Sequence, residues 1–269
     1  MLLPLNNRCF AALPVAIRTA FQPHLVLESL PRGVTLEAIT TEPSMYFPIS
    51  CVLAMTATAT DYRGPFLRFG GNGVVAGVRP GSSSQELRSE AQVCMAGYAF
   101  RLPSQRIGEY LESPLELEVA RVKLLRAVMK RALIGAFCAS SHTAAQRIAR
   151  LLLSSEDEVG PGNPILLGQT QLSQLLFLRR ETVTHVLRDW VSAGVIDTAR
   201  SRIQVCKRVA LTADACSCYE SSLELDQQEF VAWTDIKWRH SDRPLATSRD
   251  DSNRDRLHHA LHGVYSGRS

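Results

Sequence analysis

The chain reads as an α+β protein: a β-rich N-terminal part, a long central helix and a C-terminal winged helix-turn-helix. Three observations predict this. Residues 7–103 are rich in Gly, Pro, Ser and Thr and carry strand-sized apolar runs, YFPISCVLAM and EAQVCMAGYAF, bounded by turn residues. Residues 104–153 take their apolar side chains at intervals of three and four, the period of a helix face. Residues 170–205 set two short amphipathic segments around a three-residue turn and follow them with two β-prone stretches.

In the first region, the turns are expected at Arg63-Gly64-Pro65, at residues 70–73 (GGNG) and at Arg79-Pro80-Gly81. Ser104 is positioned to cap a short helix over residues 105–111, and Ser113-Pro114 offers the N-cap and N1 pair of a longer one. In that longer helix Glu116 and Glu118 precede Arg126, Lys130 and Arg131, an order that suits the helix dipole. Val122, Leu125, Met129, Ala132, Ala136 and Ala139 alternate by three and four residues, as an a/d seam does. That stripe fits either an ordinary core face or a helix paired with its own copy. A further helix is expected from about Thr143 to Leu153, and the acidic, then Gly/Pro-rich stretch Ser154 to Asn163 is expected to be a linker or hinge-side loop.

In the reader segment, a helix from Thr170 to Phe177 places Leu172, Leu175 and Leu176 inward, and a second runs from Arg180 to Ala193 and stops at Gly194. At 100° per residue, Arg180, Thr184, Arg188, Glu181 and His185 of the second helix occupy one arc of about 140°. Val183, Val186, Leu187, Trp190 and Val191 occupy the opposite side. One side is thus built to be buried and the other to enter a major groove. Val195-Ile196 and residues 203–205 flank a turn-like stretch, Asp197 to Arg202, as the strands of a wing. Residues 170–208 hold seven cations against three anions, a surplus of four that equals the surplus of the whole chain.

The segment RRETVTHVLRDWVSAGVI followed by RSRIQV resembles the winged helix of the cyclic-AMP receptor protein / fumarate-nitrate reductase regulator (Crp/Fnr) superfamily, with Arg-Glu-Thr-Val opening the recognition helix. The phrases AALP, PHL, LPRG and YFP resemble the start of that family's β-roll sensor domain. HTAAQRIARLLL is similar to its post-hinge helix, and ACSCYE to a C-terminal phrase of one branch that lacks the nucleotide site. The resemblance covers residues 7–220. It implies a cyclic-nucleotide-binding-like β-roll at 7–113, a dimerisation helix at 114–141 with its seam at Val122, Leu125, Met129, Ala132 and Ala136, and a winged helix-turn-helix at 142–220. A polar tail at 221–269 has no counterpart and is expected to be largely disordered, with local docking by residues 228–238.

The resemblance also implies roles for single residues. Arg180 and Glu181 read base edges, Arg pairing bidentately with guanine and Glu accepting from cytosine N4; Thr184 and His185 complete the reading set. Thr170, Arg179, Thr182, Arg188, Arg200 and Arg202 contact phosphates. Phe177 stands where many relatives have a turn glycine, and Arg179 where many have a small capping residue. Gly77, Arg88 and Ser89 fall where relatives bind an effector. Gly77 is followed by Val78, so the ribose-binding carboxylate of the family is missing.

These readings imply a homodimeric transcription regulator acting on double-stranded DNA, with RNA polymerase and a small-molecule effector as further partners. The alternative is a small-molecule or redox sensor that acts through protein partners. No enzyme is expected, because no nucleophile elbow, HExxH or phosphate loop occurs. The seven scattered cysteines suit reduced thiols rather than a disulfide framework. Cys216-x-Cys218 is tighter than usual zinc spacing and has no second pair nearby, so neither metal nor cofactor is expected. No apolar run approaches the roughly 18–20 residues of a membrane span, and the N-terminus lacks the basic lead-in of a signal peptide, so a cytoplasmic protein is expected.

Overall fold

The computed structural model describes residues 3–59, 62–77, 88–111 and 114–238. Two short helices, α1 (Arg8–Ala11) and α2 (Val15–Phe21), precede a β-rich unit of six strands. These are β1 (Val26–Leu30), β2 (Ser44–Pro48), β3 (Val52–Ala59), β4 (Tyr62–Gly70), β5 (Arg88–Met95) and β6 (Gly97–Pro103). They form two antiparallel three-stranded sheets, ordered β1-β6-β2 and β4-β3-β5. Each predicted apolar run supplies two strands, one to each sheet: YFPISCVLAM becomes β2 and β3, and EAQVCMAGYAF becomes β5 and β6.

The turn expected at residues 63–65 lies inside β4. Thr56 pairs with Phe66 and Thr58 with Arg63, so Gly64 and Pro65 fall within a break in the register. β4 is an edge strand, and an edge bulge is where a sheet tolerates a proline that cannot donate to the ladder. The turn at residues 70–73 is present, and the one at 79–81 lies outside the described residues.

The helical region begins with α3 (Ser104–Glu109), for which Pro103 rather than Ser104 is the cap residue. The 28-residue α4 (Pro114–Ser141) follows. Its outward face carries part of the expected seam. Val122, Met129 and Ala136 are exposed, but Ala132 is half-buried, and the apolar side chains facing outward beside them are Leu133 (68% exposed) and Phe137 (58%). The side chain of Leu125 lies outside the described residues. The opposite face of the helix carries Arg131, which is 4% exposed. Its Nε lies 2.7 Å from Glu229 Oε1 and its Nη2 2.5 Å from Asp226 Oδ1. Arg68 of β4 binds the same two carboxylates, at 2.6 and 3.1 Å.

The next helix, α5 (Ala144–Val159), is capped by the reciprocal Thr143–Gln146 pair and ends at Gly160. It absorbs most of the stretch expected to be a linker. Glu156 of that stretch is 3% exposed, with Arg208 Nη1 2.5 Å from its Oε2. The acidic run looked solvated only because its partners come from far downstream. Ile148, Leu151, Leu152 and Leu153 of α5 sit in one apolar core with Val52, Phe66 and Phe69 of the β4-β3-β5 sheet and with the helices that follow.

Those helices are α6 (Gln169–Leu176) and α7 (Arg180–Ser192), followed by the hairpin β7 (Ile196–Ala199) and β8 (Arg202–Val205) and by α8 (Arg208–Ala213). The last element is α9 (Cys218–Thr234), which packs along α4. The expected tail boundary at residue 220 therefore falls inside a helix. Leu225 of α9 is buried, and its end docks on the N-terminal unit: Trp233 Nε1 donates to Cys9 O at 2.9 Å, and Trp238 meets Phe21 edge to face at 5.8 Å. Docking by residues 228–238 was expected; the helical run from Cys218 was not, because its polar residues are satisfied by α4 and β4. The remainder of the expected tail, residues 239–269, lies outside the described residues.

Candidate nucleic-acid interface

α6 and α7 are joined by Phe177, Leu178 and Arg179. Leu172 and Leu176 of α6 and Val183, Leu187 and Trp190 of α7 are buried together with Ile165, Val195, Ile196 and Ile203. Trp190 Nε1 also donates to Asp214 Oδ2 at 2.8 Å, tying α7 to the residue that ends α8. Gly194, with φ of +63°, is the left-handed C′ residue that stops α7, as its position predicts. β7 and β8 pair from Ile196↔Val205 to Ala199↔Arg202, so the wing tip is the two-residue loop Arg200-Ser201 rather than the longer turn expected.

The opposite side of α7 is open. Arg180, Glu181, Thr184, His185 and Arg188 are all exposed, and so are Arg179, Arg200 and Arg202. Thr170 on α6 is exposed and Thr182 is half-buried. Thr184 is already engaged: its Oγ1 lies 2.8 Å from Gln169 Oε1 and 2.9 Å from Arg180 O, so it fastens α7 to α6. Arg188 Nη2 lies 2.8 Å from His185 Nδ1, and both side chains approach Asp189, at 3.6 Å for His185 and 3.8 Å for Arg188. Such exposed pairs are weak and yield readily to a polyanion. Arg208 is different. It is held by Glu156, by Asp157 at 2.7 Å and by Tyr219 OH at 2.7 Å, so one of the seven cations counted in the segment is neutralised by acids upstream of it.

The cap of α7 departs from the preferred chemistry. Arg179 provides no side-chain hydrogen bond to the helix start, and Phe177 adopts a left-handed conformation with φ of 51°. That conformation is costly for a residue with a Cβ. Phe177→Gly is therefore expected to raise the unfolding free energy by about 0.5–1 kcal/mol, less than the full steric relief because glycine also loosens the unfolded chain. Thermal or urea unfolding of the variant checks this; a loss of stability would mean that the Phe177 ring contributes more by packing than its backbone costs.

Of the three expected effector positions, only Gly77 has described surroundings. Gly77 has φ of +81°, and a Cβ there would clash with Ser44 O, so its backbone approaches β2 closely. Arg88 and Ser89 lie on β5 opposite Thr58 and Ala57; their side chains and residues 78–87 lie outside the described residues. A cleft of ≈ 340 Å³ lies elsewhere, between the β3–β5 face and α6, with Thr56, Glu90, Gln92 and Gln171 among its walls.

A helix-turn-helix with a hairpin wing, its free helix face rich in hydrogen-bonding and cationic groups, defines a DNA-binding protein of the winged-helix class. Residues 146–213 match the family model of the Crp-like helix-turn-helix domain. No curated protein sequence matches the chain. Among solved structures, the fold is similar to FixK2 from Bradyrhizobium japonicum, with 17% identity, a TM-score of 0.54, and coverage of 71% of this chain and 98% of that one. It is also similar to a putative transcriptional regulator of the Crp/Fnr family from Eubacterium rectale, with 15% identity, a TM-score of 0.55, and coverage of 79% and 97%. A CRP-family transcriptional regulator from Thermus thermophilus matches at 20% identity with a TM-score of 0.50, covering 70% and 96%. Residues 146–213 thus carry a Crp-like helix-turn-helix domain, and the chain as a whole has a fold similar to that of these regulators. Among the described residues no helix is long and apolar enough to cross a membrane.

Proposed function

We propose that the protein is a cytoplasmic, homodimeric, sequence-specific regulator with no enzymatic activity, which places α7 of each copy in successive major grooves of a near-palindromic site, about 34 Å apart. The observation that carries this reading is the exposed set Arg180, Glu181 and His185 on a helix whose other face is locked into the reader core. Arg180 and Glu181 read guanine and cytosine edges, and His185, shorter than Arg, shifts the preferred half-site. Thr184 makes its contribution chiefly by orienting α7. Thr170, Arg179, Thr182, Arg188, Arg200 and Arg202 take phosphates. Two copies join along the exposed apolar stripe of α4, in which Val122, Met129 and Ala136 are flanked by Leu133 and Phe137. Arg88 and Ser89 on β5 hold the effector, and RNA polymerase is the partner at the promoter.

Selection from random duplexes, followed by anisotropy titration, tests the reading. A palindrome is expected to emerge, with affinity falling steeply as salt rises. Arg180→Ala is expected to weaken binding to that palindrome by about 1–3 kcal/mol, roughly 5- to 150-fold, while binding to scrambled duplex changes little. Failure of any palindrome to enrich would overturn sequence-specific reading.

A further inference from the structure

Four side chains that DNA reading does not use converge where α4 ends and α9 begins. Cys138 lies on the buried face of α4, and His142 follows that helix directly. Cys216 precedes α9 by two positions, and Cys218 is its first residue. Their ligand atoms, three Sγ and His142 Nδ1, all lie within 4.8 Å of one another. Cys138 Sγ is 3.6 Å from Cys216 Sγ, and Cys218 Sγ is 3.7 Å from His142 Nδ1. All three cysteines are buried and none is in a disulfide.

A tetrahedral zinc ion with bonds of about 2.3 Å to sulfur holds two sulfurs about 3.8 Å apart, with a slightly shorter edge to an imidazole nitrogen. Paired thiols satisfy each other two at a time and have no need of a common centre, whereas these four ligand atoms crowd within 4.8 Å of one another. Three thiolates and one imidazole form a soft set that selects zinc-class ions over oxygen-loving ones.

The surroundings agree. Arg150 of α5 is 6% exposed, its Nε has no hydrogen-bond partner, and its charge acts on all three thiols. A buried cation needs a facing anion, and a dication with three thiolates and a neutral imidazole carries a net charge of −1. Elsewhere burial pushes the thiols of Cys9, Cys51 and Cys94 up, to about 11, 12 and 12, and none of the three belongs to the cluster.

We propose that Cys138, His142, Cys216 and Cys218 bind one Zn²⁺-class ion in a closed structural site that fastens the end of α4 to the start of α9. The sequence hides the site because Cys-x₃-His and Cys-x-Cys are separate fragments, with 78 positions between Cys138 and Cys216. With four protein ligands no position is left for water, which marks a structural centre rather than a catalytic one.

The test uses the full chain, purified under reducing conditions without chelator, with metal measured by mass spectrometry. One zinc per chain is expected. Cys216→Ser and Cys218→Ser are expected to lose it, and Cys206→Ser, an exposed cysteine outside the cluster, to keep it. Should the serine variants fail to fold, the unaltered chain is stripped with chelator and titrated with Co²⁺. Thiolate-to-cobalt charge transfer and tetrahedral d–d bands saturating at one equivalent support the site, as does a higher melting temperature on return of Zn²⁺. Absence of zinc in the purified chain, together with no cobalt spectrum from the reduced, stripped chain, overturns it. A Cys138–Cys216 disulfide in chain purified without reductant, with no metal uptake after reduction, overturns it equally.

Discussion

Arg131→Ala is expected to lower the unfolding free energy by about 3 kcal/mol. The side chain of Arg131 is 3% exposed and meets Glu229 and Asp226, which also bind Arg68. Removal leaves two carboxylates facing each other with one guanidinium between them, and Arg68 is already drawn toward Glu158 at 3.8 Å. The cost is set at the low end of the buried-pair range because the side chain of Asp226 is 35% exposed and water screens part of the penalty. Urea denaturation at two ionic strengths checks the value. A loss under about 1 kcal/mol that vanishes in salt would reduce the network to an ordinary surface pair. Arg131→Ala combined with Glu229→Ala is expected to cost less than the two single changes added together, because the double variant no longer strands a charge.

If two copies pair along α4 as proposed, Leu133→Asp is expected to leave the chain a monomer at micromolar concentration and to abolish tight binding to a two-half-site duplex. Leu133 is 68% exposed in the single chain and stands beside Met129 (52%) and Phe137 (58%) on α4. A two-fold interface buries the same residue twice, so the change forfeits about 3–6 kcal/mol of association, more than a hundredfold in dissociation constant, before the cost of facing carboxylates. Analytical ultracentrifugation reads the mass directly. Ala132→Asp serves as the comparison. Ala132 is half-buried in the single chain, so this change is expected to perturb folding as well as pairing. A dimer that persists in Leu133→Asp would place the interface elsewhere.

What was legible in the sequence divides along physical lines. α7 was legible almost to the residue, because its apolar side, its open side and its stop at Gly194 are all local signals. The apolar runs that give β2, β3, β5 and β6 were legible for the same reason. The burial of Arg131 on α4 was not, since it depends on Glu229, 98 positions along the sequence. The acidic stretch at 154–159 looked like a linker until Arg208, 52 positions beyond Glu156, was there to neutralise it. In both cases the partner of a charged residue lay too far along the chain to be read beside it.

The docking of α9 on the N-terminal unit has a consequence for how the protein is made. Trp233 bonds to Cys9 across 224 positions, and Trp238 closes an aromatic cluster around Phe21 and Phe47. The first domain to leave the ribosome therefore waits for almost the last described residues before its core is sealed. Contacts of such long range slow folding and leave apolar surface open to chaperones in the interval. A nascent chain halted at the end of α8 would lack Tyr219 from the reader core and Trp233 and Trp238 from the N-terminal core, so both cores are completed by the same last helix and the residues just after it.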